Sequence, residues 1–463
     1  TMPPLPKSHM FKMSHLKKKI SLESYYSAAD ILKKLEELTG LVYLQDDNNP
    51  IIGFLPKNYL ITQNNQNFLF TKTDLNKYKF SSYIENLLDF TQFQSQELKN
   101  SNREKISFKG GYIGFISYDF SAHQFINNQS HKQPSLFIGS YYSFIKKINN
   151  EWYFFSDENN ALEIFNYLLA LLNKPSNKIQ KNNFKLEENI YPRWSKNTYL
   201  TAFHKIQEYI KAGDCYQINL TQEFKANFTG SLLNKADELW NLTNAPYSGY
   251  LKLTEFELLS CSPELFIEFN VNKQIKTRPI KGTMPRYENK EQDLLSKQTL
   301  KNSKKDQAEN VMIVDLLRND LSIYANTGSV KTTKLFEIES FNQVHHMVSE
   351  ITATLKNDIN PMQMLLTALP GGSITGAPKI RAMQIIEELE GAPRGAYCGT
   401  LGYFNFDGTG RWNILIRSFQ QYQNQLSIWA GGGITIASEA EAEYQESLDK
   451  ISAMLNLMNS TAE

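Results

Sequence analysis

Cysteine is scarce in this sequence, which has three among 463 residues: Cys215, Cys261 and Cys398. They form no Cys-x-x-Cys pair and no cluster with histidine, and none lies in a Gly-x-Cys-x-Gly elbow. The chain therefore offers no disulfide framework, no thiolate metal site and no glutaminase-type cysteine nucleophile. We expect all three thiols to be buried and inert.

An excess of one charge and long apolar runs are also missing. Lys and Arg number 49 against 48 Asp and Glu, so the net charge of +1 creates no global attraction to nucleic acid or anionic lipid. No apolar run approaches the ~20 residues that span a bilayer, and "HMFKMSHLKKKI" lacks the apolar centre of a signal peptide. We expect a cytoplasmic protein that binds a small molecule or another protein, and neither nucleic acid nor membrane.

What the sequence does have is a composition typical of a large folded protein. Hydrophobic residues make up 41% and aromatic residues 12%, which argues against extended disorder. The length allows two or three domains or one intertwined domain. Strand and helix patterns come in mixed order without regular βαβ alternation, and no Pro/Ser linker marks a boundary. This favours an α+β fold with large, mostly antiparallel sheets.

Hydrophobic periodicity places several elements along the second half. Ser195 is a candidate N-cap for a helix that Gly213 ends, and the following strand puts Gln217 on its polar face. Further strands and helices follow from the patterns. The predicted strands are 256–269, 399–406, 412–422 and 425–437, and the predicted helices are 305–321, 342–355, 378–390 and 441–458.

Two of the predicted helices carry carboxylates three residues apart on one face. Asp306 and Glu309 form one pair, and Glu443 and Glu446 form the other, with Lys450 one turn further along. If the helices face each other, these oxygens suit Mg²⁺, which takes one or two carboxylates directly and keeps several waters. The alternative for either pair is a solvated acidic face.

Glycine-rich segments mark two more candidate sites. In "PGGSITGAPKIRAM" the chain enters a helix with Pro378 at its first position, and such a helix start suits an anion or is an ordinary helix entry. It is not a P-loop, because the Gly-Lys-Ser/Thr ending is absent. In "WAGGGITIA" the glycines 431–433 either expose amides to a carboxylate or make a tight bend.

Four single residues stand out by their surroundings. Lys281 lies between Pro279 and Pro285 beside Gly282, so its direction is set by a fixed backbone. The other three each allow two interpretations. Arg417, in a predicted apolar strand, needs a carboxylate from the protein or from a ligand. His346, on a predicted helix beside His345, is either a core residue or a catalyst. Glu264, at a strand entry, is either an acid with a raised pKa or a salt-bridge partner.

The order of these segments resembles one known family. The collinear motifs "SCSPELF", "RPIKGT", "AENVMIVDLLRNDL", "HHMVS", "GGSITGAPKIRAM", "RGAYCGTLGY", "ILIRS", "AGGGI" and "EYQESLDK" are similar to those of the chorismate-binding enzymes, densely over residues 191–463. "GGYIGFISYD" extends the resemblance into the first half. The resemblance implies a sandwich of large antiparallel sheets flanked by helices, as in anthranilate synthase large subunits. Residues 1–190 would be the N-terminal region of that fold and residues 191–463 the catalytic core.

Lys281 separates the subfamilies. Anthranilate synthases carry alanine in the corresponding Pro-Ile-x-Gly-Thr motif, whereas Lys281 resembles the lysine of the aminodeoxychorismate synthase component I family. The resemblance implies a transferase in which this amine attacks C2 of chorismate, ammonia then adds at C4, and 4-amino-4-deoxychorismate forms for p-aminobenzoate and folate. Gln217 stands where isochorismate and salicylate synthases have a water-activating lysine, which disfavours water chemistry. The rivals are an anthranilate synthase large subunit and a catalytically silent paralogue.

The resemblance also implies roles for the other residues. Glu264 would protonate the leaving hydroxyl, and His346, rather than His345, would lie along the substrate ring. Glu309 and Glu446 would contact Mg²⁺ directly, and Asp306 and Glu443 through water. The substrate carboxylate would be held by a larger set: Arg417, Tyr403, Gly432, Gly433, Ser373, Thr375 and Gly376.

A partner and a second ligand complete the expectations. The sequence carries neither a glutaminase segment nor a lyase extension, so the resemblance implies a heterodimer in which a separate glutamine amidotransferase subunit supplies ammonia. "NAPYSGY" at 244–250, with "SLES" at 21–24, resembles the tryptophan pocket of anthranilate synthase. That pocket would contain Ser24, Pro246, Tyr247 and Ser248 and bind tryptophan, or these residues form an aromatic core patch.

Overall fold

The computed structural model describes residues 16–22, 26–94, 105–175, 183–341 and 344–460. Within these ranges the frame is a pair of antiparallel sheets of 13 and 12 strands. The strands in chain order are β1 Leu16–Ile20, β2 Val42–Leu44, β3 Ile51–Gly53, β4 Asn58–Gln63, β5 Gln66–Asp74, β6 Lys77–Tyr83, β7 Gly111–Ile116, β8 Leu136–Tyr141, β9 Ser143–Ile148, β10 Glu151–Ser156, β11 Lys185–Leu186, β12 Tyr191–Pro192, β13 Gln217–Thr229, β14 Tyr247–Leu253, β15 Phe256–Ser262, β16 Leu265–Phe269, β17 Gln274–Thr277, β18 Ile280–Pro285, β19 Lys331–Ser340, β20 Val344–Thr354, β21 Gly376–Ala377, β22 Thr400–Asn405, β23 Gly410–Asn413, β24 Ser418–Tyr422 and β25 Gln425–Ile434.

Helices lie between and beside these strands. In chain order they are α1 Ala28–Lys34, α2 Tyr118–His123, α3 Ala161–Leu172, α4 Lys196–Lys211, α5 Ala236–Thr243, α6 Lys290–Lys301, α7 Lys304–Ser322, α8 Pro361–Ala368, α9 Gly372–Thr375, α10 Lys379–Glu390, α11 Ala440–Asp449 and α12 Ser452–Asn459. The predicted N-cap at Ser195 is confirmed, because its hydroxyl accepts from the Thr198 amide at 3.1 Å and α4 follows. No helix of the described ranges is long and apolar enough to cross a bilayer.

The two sheets are stacked face to face, which confirms the predicted α+β sandwich. The first sheet has the order β1-β10-β9-β3-β2-β14-β15-β24-β25-β13-β11, and the second has β18-β20-β17-β16-β23-β22-β7-β8-β4-β5-β6. Between them Phe115 of β7 stacks on Phe256 of β15 with ring centroids 5.6 Å apart. Because side chains alternate along strands, the outer faces remain for helices: α1, α3, α5 and α12 pack on the first sheet, and α7 and α8 on the second.

Strands from both sides of residue 190 share each sheet. In the first sheet β2 pairs with β14, and in the second β7 pairs with β22. The division at residue 190 therefore describes the sequence and does not separate the sheets.

The helix predicted over 342–355 was wrong. Its described part is strand β20, which pairs with β17, β18 and β19. Val344, Val348, Ile351 and Thr352 are β-branched, which favours an extended backbone when partner strands are available. The consequence is that His345 and His346 point to opposite faces.

The strand predicted over 256–269 divides into β15, in the first sheet, and β16, in the second. Two further predicted elements are also broken. The strand predicted over 412–422 divides into β23, in the second sheet, and β24, in the first, and Arg417 lies in the connection with φ of 51°. The helix predicted over 441–458 divides into α11 and α12 at Lys450 and Ile451. Periodicity did not show either break because apolar spacing continues across both.

Candidate active site

Most of the predicted catalytic, metal-binding and substrate-binding residues lie near the ends of β13, β25, β18 and β20, where the two sheets meet. Helix α7 packs against β18 and β20, and α11 packs against β25. The two helices approach closely enough for Lys305 of α7 to contact Glu443 of α11 at 3.4 Å. The two predicted carboxylate helices therefore face each other across one cleft.

Lys281 lies in an irregular part of β18. The pairing register with β20 shifts between Ile280 and Thr283, and Gly282 has φ of 94°. A Cβ at Gly282 would lie 2.8 Å from Leu300 and 2.9 Å from Asp306. Glycine is required there by both the left-handed backbone and the close approach of the neighbouring helices, and the resulting bulge sets the direction of the lysine side chain.

The charge of Lys281 acts on Glu264, Glu309 and Lys450. Burial raises the pKa of Glu264 and of Glu309 and lowers that of Lys450, and the charge of Lys281 acts to lower all three, so its side chain lies near these groups. Among the described residues Lys281 makes no salt bridge within 4.0 Å. The amine is therefore held in a charged cleft without being tied to one partner.

Glu264 has the environment of a proton donor. Its side chain is 8% exposed, and the Ile280 amide donates to Oε1 at 3.1 Å. Burial raises the pKa of Glu264 to about 7, although the Ile280 hydrogen bond and Lys281 oppose that effect. A carboxyl group with this pKa holds a proton in part at neutral pH and can deliver it to a leaving group.

His346 points into the cleft and His345 away from it. The ring Nδ1 of His346 lies 3.2 Å from the Thr283 hydroxyl on the paired strand. Burial and the Arg417 guanidinium lower the pKa of His346 to about 4, so its ring is neutral at pH 7. His345 instead contacts Ser340 at 2.7 Å and the Asp293 carboxylate at 3.0 Å.

Carboxylates of α7 and α11 form the acidic side of the cleft. Burial raises the pKa of Glu309 and of Glu443, and neighbouring carboxylates, Glu446 among them, add to the rise. Burial acts to lower the pKa of Lys305, but the carboxylates of Glu443, Glu309 and Glu446 together raise it above its ordinary value. In the described ranges no three His, Cys, Asp or Glu side chains are arranged as a ready metal site. The hard oxygen donors nevertheless fit Mg²⁺, which needs one or two carboxylates and water.

Arg417 is placed for a ligand carboxylate. Burial lowers the pKa of its guanidinium, and Cys261, Glu264 and Tyr397 oppose that effect. Within the described residues no carboxylate lies at salt-bridge distance from it. A half-buried arginine without a protein carboxylate favours the ligand alternative.

Tyr403 does not join the site, contrary to expectation. It is fully buried on β22, its hydroxyl donates to Asp46 at 2.9 Å, and its ring meets Phe108 edge-on at 5.5 Å. Tyr397, in the same "RGAYCGTLGY" motif, is instead close enough to Arg417 to affect its pKa. The motif contains two tyrosines. The sequence predicted Tyr403 as the site residue, but strand pairing directs Tyr403 into the core between the sheets.

The glycines of β25 lie beside the polar face of β13. A Cβ at Gly433 would overlap the Gln217 side-chain amide, and a Cβ at Gly432 would lie 3.5 Å from Lys450 Nζ. The carbonyl oxygens Gln217 Oε1 and Asn219 Oδ1 are buried without a hydrogen-bond partner among the described residues. These two acceptors can therefore bind a hydrogen-bond donor in the cleft.

Residues 371–377 form a folded segment and not a simple entry into α10. Helix α9 is followed by β21, which pairs with β13, and Pro378 is the N-cap of α10 instead of its first residue. The Ser373 carbonyl accepts from Asn219 Nδ2 at 2.8 Å, and the Thr375 hydroxyl donates to the Gly371 carbonyl at 2.8 Å. The Thr375 hydroxyl is therefore used within the segment. A Cβ at Gly376 would overlap the Gln217 carbonyl.

The predicted tryptophan region only partly forms a pocket. A cavity of about 790 Å³ is lined by Ser248 together with Tyr43, Trp240 and Asn244. Tyr247 lines a separate small space with Tyr403, and the Pro246 carbonyl accepts from the Asp47 amide at 2.9 Å. Ser24 lies outside the described residues.

Comparisons with known proteins agree with this geometry. A sequence model of the chorismate binding enzyme family matches residues 41–456. Aminodeoxychorismate synthase component 1 of Klebsiella aerogenes is 47% identical over 266 residues, which cover 58% of this chain and 59% of that protein. The component 1 of Escherichia coli is 39% identical over 369 residues, 78% of this chain and 79% of that protein. Anthranilate synthase component I from Streptococcus pneumoniae has a similar structure, with a TM-score of 0.75 at 25% identity over 98% of this chain and 97% of that one.

Proposed function

Since this chain belongs to the chorismate-binding enzyme family, we propose that it converts chorismate and ammonia to 4-amino-4-deoxychorismate, as an aminodeoxychorismate synthase component 1. The observation that carries the proposal is the position of Lys281. A bulge aims its amine into a cleft that also holds Glu264, a neutral His346 and the carboxylates of α7 and α11.

Two displacements account for the reaction. In the first, the Lys281 amine forms a bond to C2 as the C4–O bond breaks, and Glu264 donates the proton with which the hydroxyl leaves as water. In the second, ammonia forms a bond to C4 as the C2–N bond breaks, which restores Lys281. A held nucleophile thus divides one difficult substitution into two easier steps.

Binding groups surround this centre. Chorismate is a dicarboxylate, and Arg417 with Tyr397 is suited to one of its carboxylates. Burial and the Arg417 guanidinium keep the His346 imidazole neutral. This neutral side chain packs along the ring of chorismate. Glu309 and Glu446 would hold Mg²⁺, with Asp306 and Glu443 through water. When bound, Mg²⁺ would neutralise the ring carboxylate and draw electrons towards it.

Ammonia is the nucleophile that suits the amide oxygens. Gln217 Oε1 and Asn219 Oδ1 can accept hydrogen bonds from ammonia. Neither amide is a base that could activate water. This supports amination over hydroxylation.

A partner and a location are part of the same proposal. Relatives are named as component 1 of their synthase, and we propose that a separate glutamine amidotransferase subunit supplies the ammonia. We place the activity in the cytoplasm, where the free thiols Cys215, Cys261 and Cys398 would stay reduced. Tryptophan is proposed as a ligand of the cavity beside Ser248, and a thermal shift with tryptophan tests it.

A product assay tests the activity. The purified chain is incubated with chorismate, Mg²⁺ and ammonium over a range from neutral to alkaline pH, with and without aminodeoxychorismate lyase, and the products are identified by mass spectrometry. We expect p-aminobenzoate only when the lyase is present. Anthranilate without lyase would identify an anthranilate synthase, and no turnover with ammonium would favour a silent paralogue or a requirement for the partner subunit.

A further inference from the structure

Arg394 is one of the largest fully buried side chains of the described structure, with 1% exposed. We propose that Arg394 and Glu390 form a positioning pair that holds the substrate-facing segments of the cleft in register. The inference rests on the proposed function and adds to it two residues that do not touch the substrate.

Hydrogen bonds from Arg394 fix it in one orientation. Its Nε and Nη2 donate to the two Glu390 carboxylate oxygens at 2.8 and 3.0 Å. The remaining donations go to main-chain carbonyls, from Nη1 to Ile374 at 2.8 Å and from Nη2 to Asn219 at 3.2 Å. The guanidinium also lies over the Tyr118 ring, 4.6 Å from its centroid. One planar cation thus connects α10, β13, α9 and α2.

Glu390 completes the connection from the other side. Its Oε2 accepts from both the amide and the hydroxyl of Thr221, at 2.9 and 2.6 Å. The pair therefore fixes β13 at Asn219 and again at Thr221. Both points lie within four residues of Gln217.

Each connection ends beside a residue of the cleft. Ile374 lies between Ser373 and Thr375, and Asn219 provides one of the two unpartnered acceptor oxygens. Arg394 itself begins the turn that leads to Tyr397. Further contacts hold that turn, since Gln420 donates to the Arg394 carbonyl at 3.0 Å and the Gly395 amide donates to Asp119 at 3.2 Å. Displacing the guanidinium would therefore move three parts of the cleft together.

Lysine cannot replace Arg394 at this position. Its ammonium keeps the charge, but it lacks the planar fork that serves a carboxylate and two carbonyls at once. A buried carboxylate and two carbonyls would lose partners, and the segments would shift to find new ones. A misplacement of about 1 Å can reduce a rate about a hundredfold.

The test compares Arg394→Lys with a matched control, Arg411→Lys. Arg411 is also buried, at 8% exposed, and is paired with Asp46 at 2.8 Å, but it lies beside Tyr403 between the sheets and away from the cleft. Both variants are measured for thermal stability, kcat and KM with chorismate and ammonium. We expect Arg394→Lys to lower kcat/KM about ten- to a hundredfold and Arg411→Lys, at a comparable loss of Tm, to leave it within about twofold.

Glu390→Gln and the double variant show whether the two residues act as a unit. We expect Glu390→Gln to have an effect similar to that of Arg394→Lys, and the double variant to be no worse than either, because residues of one unit are not additive. Glu390→Gln also serves if Arg394→Lys does not fold. Additive losses, or equal losses of kcat/KM in Arg394→Lys and Arg411→Lys, would overturn the inference.

Hydrogen exchange separates this inference from the proposed function. Peptides covering residues 217–221 and 371–377 should exchange faster in Arg394→Lys than in Arg411→Lys, whether or not chorismate is turned over. If the wild type does not aminate chorismate but the difference in exchange is present, the proposed function fails and the positioning role stands. If exchange in both peptides is unchanged, the positioning role fails.

Discussion

At the scale of single residues, Lys281 differs from Lys305 and Lys450, because among the described residues no carboxylate lies within 4.0 Å of its amine. Lys305 contacts Glu443 at 3.4 Å, and Lys450 donates to the Gly431 carbonyl at 2.8 Å. Lys281 instead shares its charge among several neighbours. A nucleophile held by backbone geometry and not by a salt bridge does not have to break an ion pair before it reacts.

Replacing this amine tests the covalent step. We expect Lys281→Ala to lower formation of 4-amino-4-deoxychorismate by orders of magnitude, because the first displacement loses its nucleophile. Any remaining product should shift towards anthranilate, which liquid chromatography and mass spectrometry would reveal. Lys276→Ala is the control, since Lys276 pairs with Glu268 at 3.1 Å outside the cleft. An unchanged rate and product in Lys281→Ala would remove this residue from the mechanism.

The pKa of Glu264 gives a prediction about pH. Because the pKa is raised to about 7 in the folded protein, the protonated acid is lost above that pH, and kcat should fall on the alkaline side. The stability of the protein should change with pH in the same direction as the activity. Because burial favours protonated Glu264, the contribution of this residue to the free energy of unfolding is complete below its unfolded pKa and is lost as pH rises through about 7.

Glu264→Gln separates these two effects. The variant should lose activity about 10²- to 10⁴-fold, as expected for loss of a general acid. Its stability should depend less on pH than that of the wild type between pH 5 and pH 8, as measured by denaturant unfolding. A wild-type activity profile that is flat through pH 7, or an unchanged rate in the variant, would exclude Glu264 as the acid.

A side chain's direction could be predicted from the sequence where a short motif fixes the backbone. It could not be predicted where the pairing of distant strands decides that direction. Lys281 between two prolines was a case of the first kind. Tyr403 was not, because two tyrosines six positions apart in one motif have equal claims until the sheets are paired. Arg417 was singled out as a cation among apolar residues and is half-buried, but its left-handed backbone between two sheets has no sequence signal.

At the scale of elements, helix α7 and strand β18 are packed without room for a side chain at Gly282. We expect Gly282→Ala to lower Tm and to reduce activity, because the methyl group would meet Leu300 and Asp306 and the backbone would be strained. Gly213→Ala is a matched control, since its φ of 85° is similar but no atom lies within 4 Å. A backbone cost alone is of order 1–3 kcal/mol. Equal effects of the two substitutions would exclude a packing role for Gly282.

The facing carboxylates of α7 and α11 predict a dependence on Mg²⁺. We expect Glu446→Gln to raise the Mg²⁺ concentration needed for half-maximal activity and for half-maximal thermal stabilisation, because one carboxylate of the set is lost. Glu441→Gln, on the same helix but paired with Lys196 at 2.7 Å, should leave both titrations unchanged. An unaltered Mg²⁺ titration in Glu446→Gln would contradict the placement of the ion.

Element type could be predicted where one periodicity dominated. The N-cap and apolar spacing predicted α4, and the apolar spacing alone predicted α7, whereas the segment of β20 contains apolar residues compatible with both helix and strand. Three partner strands, two of them distant in sequence, decided the outcome. Tertiary pairing of this kind overrides local propensity and is not visible in a window of a few residues.

At the scale of the whole molecule, the sheets connect the first and second halves of the sequence. Because β2 pairs with β14 and β7 with β22, we expect unfolding in denaturant to be a single cooperative transition. Tryptophan fluorescence and far-ultraviolet circular dichroism should give coincident curves. Two separated transitions would indicate that the region before residue 190 is an independent unit.

The α+β class was predictable from the mixed order of elements. The pairing of strands from both halves of the sequence was not predictable, because strand order leaves no mark on composition.

The place of β25 in the first sheet has a consequence for synthesis of the chain. β25 pairs with β13, although almost two hundred residues separate them. At the usual rate of translation that interval is on the order of tens of seconds. Until residue 376 is made, the Gln217 end of β13 has neither β25 nor β21 beside it. A nascent chain of this protein therefore carries a long strand without its main partner on the ribosome until nearly all of it has been made, and a chaperone that binds unpaired strands would find its target there.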